Sequence, residues 1–163
     1  MNKIINIRFH GDGLAKKLSN LYPYAFELDG IQYASMEAFI GSLRTPSLIE
    51  KQKLYQTSGM NSWYLGHNFS WYEKQEVYCK DKAISRHSQE YDDLITAAFD
   101  ALFTNEEFKQ ALKETGDCKL THSVGKTAKD KTLLTRKEFI EHLNRLRDKL
   151  SEKKFYNLME LFE

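Results

Sequence analysis

Apolar positions along the chain keep two rhythms, one of period two near the N-terminus and one of about 3.6 further on. Ile4 to His10 (IINIRFH) is β-branched and alternates towards its end, and Gly11-Asp12-Gly13 stops it, which predicts a first strand and a turn. Tyr24 to Leu28 and Ile31 to Tyr33 flank Asp29-Gly30, a strong short-range hairpin signal. The rhythm then changes. Ser35 is a natural N-cap, and Met36, Phe39, Ile40 and Leu43 recur at i, i+3, i+4 and i+7, one core-facing helical stripe. Glu37 and Arg44, seven residues apart, lie nearly above one another at the border of that stripe, and Gly41 between them is expected to leave the surface bare. A carboxylate, a guanidinium and a gap would make a floor for a ligand.

Thr45-Pro46-Ser47 ends this helix, because the residue before proline is pushed out of helical geometry, and Ser47 to Tyr55 opens another. Thr57 to Ser70, with Gly59, Asn61, Gly66, His67 and Asn68, is expected to be the long loop. Its Trp63, with Trp71 beyond it, either pins that loop to the core or stacks on a ligand. Tyr72 to Ser85 is expected to be part helix and part connection. From Tyr91 to Phe103 the helical stripe returns through Leu94, Ile95, Ala98, Phe99 and Leu102 and predicts the central helix of the core. Thr104 with Glu107 predicts a capped helix through Leu112 that Gly116 closes. Asp117 then begins an irregular basic segment. Thr135 with Glu138 predicts a second capping box, opening the last major helix with Phe139, Ile140, Leu143, Leu146 and Leu150 inward. Ser151 to Phe162 is expected to be a short separate terminal helix. Strands that come first and do not alternate with helices predict an α+β protein, mostly helical, with a small antiparallel sheet near its N-terminal side.

A chain of 163 residues is one ordinary domain, so residues 1–163 are expected to form a single unit. Lys plus Arg total 24 and Asp plus Glu 23, which gives a formal charge of +1 and no bulk attraction to nucleic acid or an anionic membrane. The charges are nevertheless unevenly placed. Gln89 to Asp117 holds eight acids against Lys109 and Lys113, whereas Lys119 to Lys137 holds six bases against Asp130. Such blocks read as solvated surface or, for the second, as a basic rim for phosphates. Cys79 and Cys118 fit no paired metal, redox or disulfide spacing and are expected to be free thiols in a reducing cytoplasm. No basic start precedes an apolar segment, and no apolar run approaches the roughly 18 residues of a membrane span, so a cytoplasmic protein with no membrane partner is expected.

Several chemistries fall away on spacing. Gly125-Lys126-Thr127 looks like the end of a phosphate-binding loop, but Leu120 stands where its first glycine is required. His10, His67, His87, His122 and His142 show no metal-ligand spacing, so neither a metal nor another cofactor is expected. Glu37 is the best single candidate. A carboxylate beside an apolar stripe and close to a cation can act as acid, base or electrostatic stabiliser of a ribosyl oxocarbenium ion. Equally, it lies in the first turn of its helix, where the dipole favours an acid by about 0.3–1 kcal/mol.

Leu18-Ser19-Asn20 followed by Tyr22-Pro23, the hairpin with Asp29-Gly30 and Tyr33, and Ser35-Met36-Glu37 opening a helix together resemble the NADAR (YbiA-like) family. Lys113 to Asp117 (KETGD), after a helix with Asn105 near its start, resembles a second block. Arg86 to Tyr91 (RHSQEY), Thr121 to Gly125 (THSVG) and Leu134-Thr135 look like motifs of one branch, so the matches span about residues 8–147, with 151–163 beyond them. The resemblance implies a YbiA-like fold and an N-glycosidase acting on an ADP-ribosyl or ribose-phosphate conjugate, including ADP-ribose on guanine in DNA or RNA. In that family the acid matching Glu37 is the residue associated with cleavage. The alternative is a non-catalytic binder of NAD-derived nucleotides such as ADP-ribose.

The remaining candidates each carry two readings. Asn20 holds a ribose or base edge, or is a turn residue. Arg44 clamps a phosphate or ribose, or forms a surface salt bridge. Many relatives have a lysine at its position, for which a Schiff base has been considered, and an arginine cannot form one. Arg86 and His87 precede the central helix, whose N-terminus is a natural anion site, or are solvent-exposed connection residues. Asp117 and His122 flank the basic segment as ribose and base contacts. There the chain departs from the family, since Thr121-His122-Ser123 stands where a Trp-Gly follows the aspartate.

Overall fold

The computed structural model describes residues 3–162, the side chains of residues 153–155 excepted. In chain order the elements are β1 (Ile4–Asn6), α1 (Gly13–Lys17), β2 (Phe26–Leu28), β3 (Ile31–Tyr33), α2 (Met36–Ser42), α3 (Leu48–Tyr55) and α4 (Gly59–Gly66). Then follow β4 (Glu76–Cys79), β5 (Lys82–Ser85), α5 (Gln89–Leu102), α6 (Glu106–Glu114), β6 (Lys119–Thr121) and α7 (Arg136–Glu160). The protein is α+β and mostly helical, as its pattern predicts. The strands form three two-stranded sheets rather than one N-terminal sheet: the hairpins β2–β3 and β4–β5 are antiparallel, and β1 pairs with the distant β6 in parallel. The β1–β6 pair therefore ties the two ends of the fold together.

Local chemistry accounts for most boundaries. Asp29 (φ 51°) and Gly30 (φ 80°) are both left-handed, the geometry a two-residue hairpin turn needs. Tyr33 packs edge-on against Phe39 and Tyr55, at centroid distances of 5.3 and 5.0 Å, and so fastens that hairpin to α2 and α3. Thr135 and Glu138 close the predicted capping box of α7, the Thr135 amide lying 2.7 Å from the Glu138 carboxylate. The core then runs from Phe39 and Leu43 of α2 through Tyr91, Ile95 and Phe99 of α5 to Phe139, Leu143 and Leu146 of α7.

Four expectations are corrected. The predicted long loop contains α4, a helix the glycines disguise: Gly59 sits at its start with φ +60°, and Gly66 at its end backs onto Gly41 of α2. Tertiary packing overrides poor propensity here. The ill-defined stretch after Tyr72 holds the β4–β5 hairpin, whose turn residues Lys80 (φ 50°) and Asp81 (φ 58°) are left-handed without being glycine or asparagine, so the usual turn signal is missing. Asn105, not Thr104, caps α6, accepting from the Phe108 amide at 3.0 Å, while the Thr104 hydroxyl donates back to the Ala101 carbonyl. Finally, no glycine or proline interrupts 136–160, so α7 continues through the expected break before Ser151 and leaves Leu158 and Met159 exposed.

Candidate functional site

Everything about the site starts from how deeply α2 is set. All seven of its residues are buried. Ser35 caps it by accepting from the Ala38 amide at 3.1 Å and is itself held by donating to the Thr57 carbonyl at 3.0 Å. The Glu37 amide donates to the Asn20 carbonyl at 2.9 Å, so the turn that follows α1 sits directly against the first turn of the helix. Gly41 does not leave the bare surface its position suggests: a Cβ there would meet the Gly66 Cα at 3.4 Å and Leu54 at 3.6 Å, so the missing side chain admits α4. The gap expected between Glu37 and Arg44 is filled by a helix.

The Glu37 side chain is thereby enclosed. Glu37 is 8% exposed and Arg44 6%, too buried for the surface salt bridge that was one reading of the pair. Burial pushes the Glu37 carboxyl up from 4.5 to about 7, and the Arg44 guanidinium works against that rise without reversing it. Among the described residues no ion pair joins the two, and no hydrogen bond to the carboxylate offsets its desolvation. At neutral pH such a group is divided between acid and carboxylate and can serve as either.

Arg44, which acts electrostatically on Glu37, has a buried Nε without an acceptor, and Trp71 Nε1, Arg86 Nη1 and Arg145 Nε are likewise buried and lack acceptors among the described residues. Each such group costs about 1–3 kcal/mol, a cost that an oxygen-rich ligand would relieve. Arg44 is within electrostatic reach of Glu37, His67 and Tyr91, and the Arg86 guanidinium lies 4.7 Å from the Tyr91 ring centre. The outer edge is aromatic and basic. The Trp63 ring, 38% exposed, stacks on His67 at 4.0 Å, and Lys126 Nζ lies 5.7 Å over the Tyr72 ring. His67 feels Arg44 and Lys126 together, and burial followed by those charges lowers its pKa. The two tryptophans thus divide the two readings: Trp71 pins the segment to the core, and Trp63 faces outward beside the site.

The other candidates are placed differently. Asn20 is half-buried, and its described tie to Glu37 runs through its backbone carbonyl. Arg86 is not an exposed anion ligand at the start of α5 but fully buried, donating to the Glu138 carboxylate at 2.8 Å and to the Thr132 carbonyl at 3.0 Å. Ser88 occupies the α5 N-terminus instead, accepting from the Tyr91 amide at 3.1 Å. His87 is exposed and lies 2.9 Å from the Gln75 side chain. Asp117 is exposed in the turn between α6 and β6. His122 is held beside β1, its Nδ1 2.7 Å from the Ile7 carbonyl and its ring edge-on to Phe139. Among the described residues, no hydrogen bond or ion pair joins His87, Asp117 or His122 to Glu37, and none of the three is among the charges that shift its pKa. Conversely, the sequence does not single out His67, Tyr72 or Lys126 as individual site residues, although it offers Trp63 and Trp71 as stacking faces and Lys119 to Lys137 as a basic rim. Among the described residues, no group of three or more His, Cys, Asp or Glu side chains converges as a metal site requires, and no helix is long and apolar enough to cross a membrane.

Comparison with known proteins bears on this arrangement. The model of a family described as bacteriophage protein GP30.3 matches residues 13–148. A protein of Enterobacteria phage T4, described as an uncharacterized 17.1 kDa protein in the Gp30-rIII intergenic region, is 31% identical over 136 residues, which cover 82% of this chain and 90% of that protein. Among solved structures, the NMR structure of the E. coli protein YbiA superimposes with a TM-score of 0.62 at 17% identity, over 94% of this chain and 88% of that one. At that identity the likeness shows the fold, which is the YbiA-like fold implied by the NADAR resemblance.

Proposed function

We propose that this chain, which belongs to the bacteriophage protein GP30.3 family, hydrolyses the N-glycosidic bond of an ADP-ribosyl or ribose-phosphate conjugate, a class that includes ADP-ribosylated guanine in nucleic acid. The observation that carries the reading is the buried Glu37 carboxyl, held near 7 beside a partnerless Arg44 Nε. Cleavage breaks the bond from the anomeric carbon of the conjugated ribose to the base nitrogen, returns a proton to that nitrogen and adds the hydroxyl of water to that carbon. A carboxyl that exchanges its proton at neutral pH suits both halves of that sequence, and its ionised form stabilises the oxocarbenium ion between them. Arg44 stays charged throughout and cannot form a Schiff base, so its part is to hold phosphate or ribose oxygens. The Trp63, His67, Tyr72 and Lys126 edge supplies stacking faces and positive charge of the kind that holds an unpaired nucleotide. The YbiA-like fold supports the reading as an analogy of architecture.

A second reading, a non-catalytic binder of ADP-ribose, is favoured by the buried Arg44 Nε without an acceptor, since it would hold an anion whether or not a bond breaks. One assay separates the two. The chain and its Glu37→Gln variant are incubated with a single-stranded oligonucleotide carrying ADP-ribosylated guanine, and freed ADP-ribose is quantified by mass spectrometry while binding of free ADP-ribose is titrated. Release by the wild type, reduced about a hundredfold or more in Glu37→Gln, is the expected result. Binding without release in both identifies a binder, and neither binding nor release overturns the reading altogether.

A further inference from the structure

The helix that carries Glu37 also walls a second, separate cavity. At about 100° per residue, Phe39, Ser42 and Leu43 point away from Glu37 and Arg44, and they line a cavity of about 580 Å³ bounded by the β2–β3 and β4–β5 hairpins and α3. That volume lies within the usual range for small-molecule sites. One wall is aromatic, built from the rings of Phe39 and Tyr55, each edge-on to Tyr33. One cation stands inside. Lys51 Nζ donates to the Ser42 and Tyr78 carbonyls, both at 2.6 Å, and among the described residues no carboxylate comes within ion-pair distance of it. Burial lowers its pKa.

The two lysines at the mouth, by contrast, are already matched, Lys80 with Asp29 at 2.8 Å and Lys82 with Glu90 at 2.5 Å, while Asp81, which also lines the cavity, acts on Lys51 from beyond ion-pair distance. Lys51 gives one N–H to the Ser42 carbonyl at the end of α2 and one to the Tyr78 carbonyl of β4, which leaves the third for another acceptor. A half-buried ammonium beside an apolar wall gains most from an anion delivered on an apolar body, because ring contact and charge pairing are then satisfied together. We propose that this cavity binds an amphipathic monoanion, an aromatic-bodied carboxylate whose head group meets Lys51 and whose ring lies against Tyr33, Phe39 and Tyr55. This site does not depend on the reaction assigned to Glu37.

The test uses 1-naphthoate and its neutral isostere 1-naphthalenemethanol as probes, titrated calorimetrically into the full chain, into Glu37→Gln and into Leu48→Glu. Leu48 lines the cavity and is 63% exposed, so the last substitution places a carboxylate at the mouth without disturbing the core. The expected result is naphthoate binding that is at least about tenfold tighter than that of the alcohol, weakened at least about tenfold by Leu48→Glu, and unchanged in Glu37→Gln. Equal affinity for acid and alcohol, absence of naphthoate binding, or binding indifferent to Leu48→Glu overturns the proposal. So does loss of binding in Glu37→Gln, which would place the probe in the other site.

Discussion

Enclosing an acid without a partner has a cost that can be measured. Glu37 titrates at 4.5 as a free side chain and at about 7 in the fold. At about 1.4 kcal/mol per tenfold change in proton affinity, its ionised form therefore costs about 3 kcal/mol of stability. The sign follows from proton counting. Below 4.5 the carboxyl is protonated in both the folded and the unfolded chain and costs nothing. Between 4.5 and about 7 the folded chain holds the proton that the unfolded chain has lost, so this contribution to stability declines as pH rises, and above about 7 the full penalty is in place. Glu37→Gln resembles the protonated form and lacks the penalty. Urea unfolding of both proteins at several pH values, followed by circular dichroism, should give nearly equal stabilities at the acid end and a variant about 3 kcal/mol more stable above pH 7. Taking the difference cancels titrations the two proteins share. A difference that stays constant with pH, or a variant less stable at the alkaline end, refutes the electrostatic reasoning. A stabilising substitution that also removes turnover would mark Glu37 as a residue retained for function.

Other parts of the structure make their own predictions. Arg86→Met should destabilise the fold by about 3–5 kcal/mol in chemical denaturation, because it leaves the largely buried Glu138 carboxylate without its 2.8 Å partner. A loss below about 1 kcal/mol would mean the pair is not the strut it looks like. Gly66→Ala sets a Cβ 3.1 Å from the Gly41 Cα, a backbone atom that cannot rotate aside, and should cost about 1–3 kcal/mol by thermal unfolding. An unchanged midpoint would contradict the close approach of α2 and α4. His142 stacks on Phe99 at 4.5 Å beside Arg145, and burial, then Arg145, lowers its pKa below the ordinary 6.5. Its contribution is therefore present above 6.5 and lost as pH falls, so His142→Phe should flatten the decline in stability between about pH 7 and 5. An equally steep decline in the variant would show that the group does not titrate as placed.

The sequence made the α2 region legible because local chemistry and tertiary packing agree there. Asp29-Gly30 supplies the left-handed turn, Ser35 the cap, and the apolar stripe the buried face, so Glu37 could be singled out before any coordinates. The same stretch also misled. Gly41 reads in the sequence as open surface, and only the approach of α4 shows that the missing side chain is a docking point. The segments on either side of Trp71 were opaque for a related reason. Gly59 and Gly66 weaken the helical signal of α4, while Lys80 and Asp81 adopt left-handed geometry without the residue types that announce it. The sequence offers the residue types of the site's aromatic and basic edge, Trp63 and the Lys119 to Lys137 segment, but only the fold brings Lys126 onto Tyr72 and Trp63 onto His67. Arg86 and His87 show the opposite limit: adjacent in sequence at a helix start, they part company, one sealed against Glu138 and the other on the surface.

The central claim is that Glu37 is a proton-exchanging carboxyl facing a nucleotide-sugar site. Carbon-13 NMR of side-chain-labelled glutamate, with Glu37 assigned by loss of its signal in Glu37→Gln, follows that proton directly, with and without ADP-ribose. The account predicts a midpoint at about 7 that ADP-ribose displaces. A midpoint in the ordinary carboxylate range, unmoved by ADP-ribose, would contradict it.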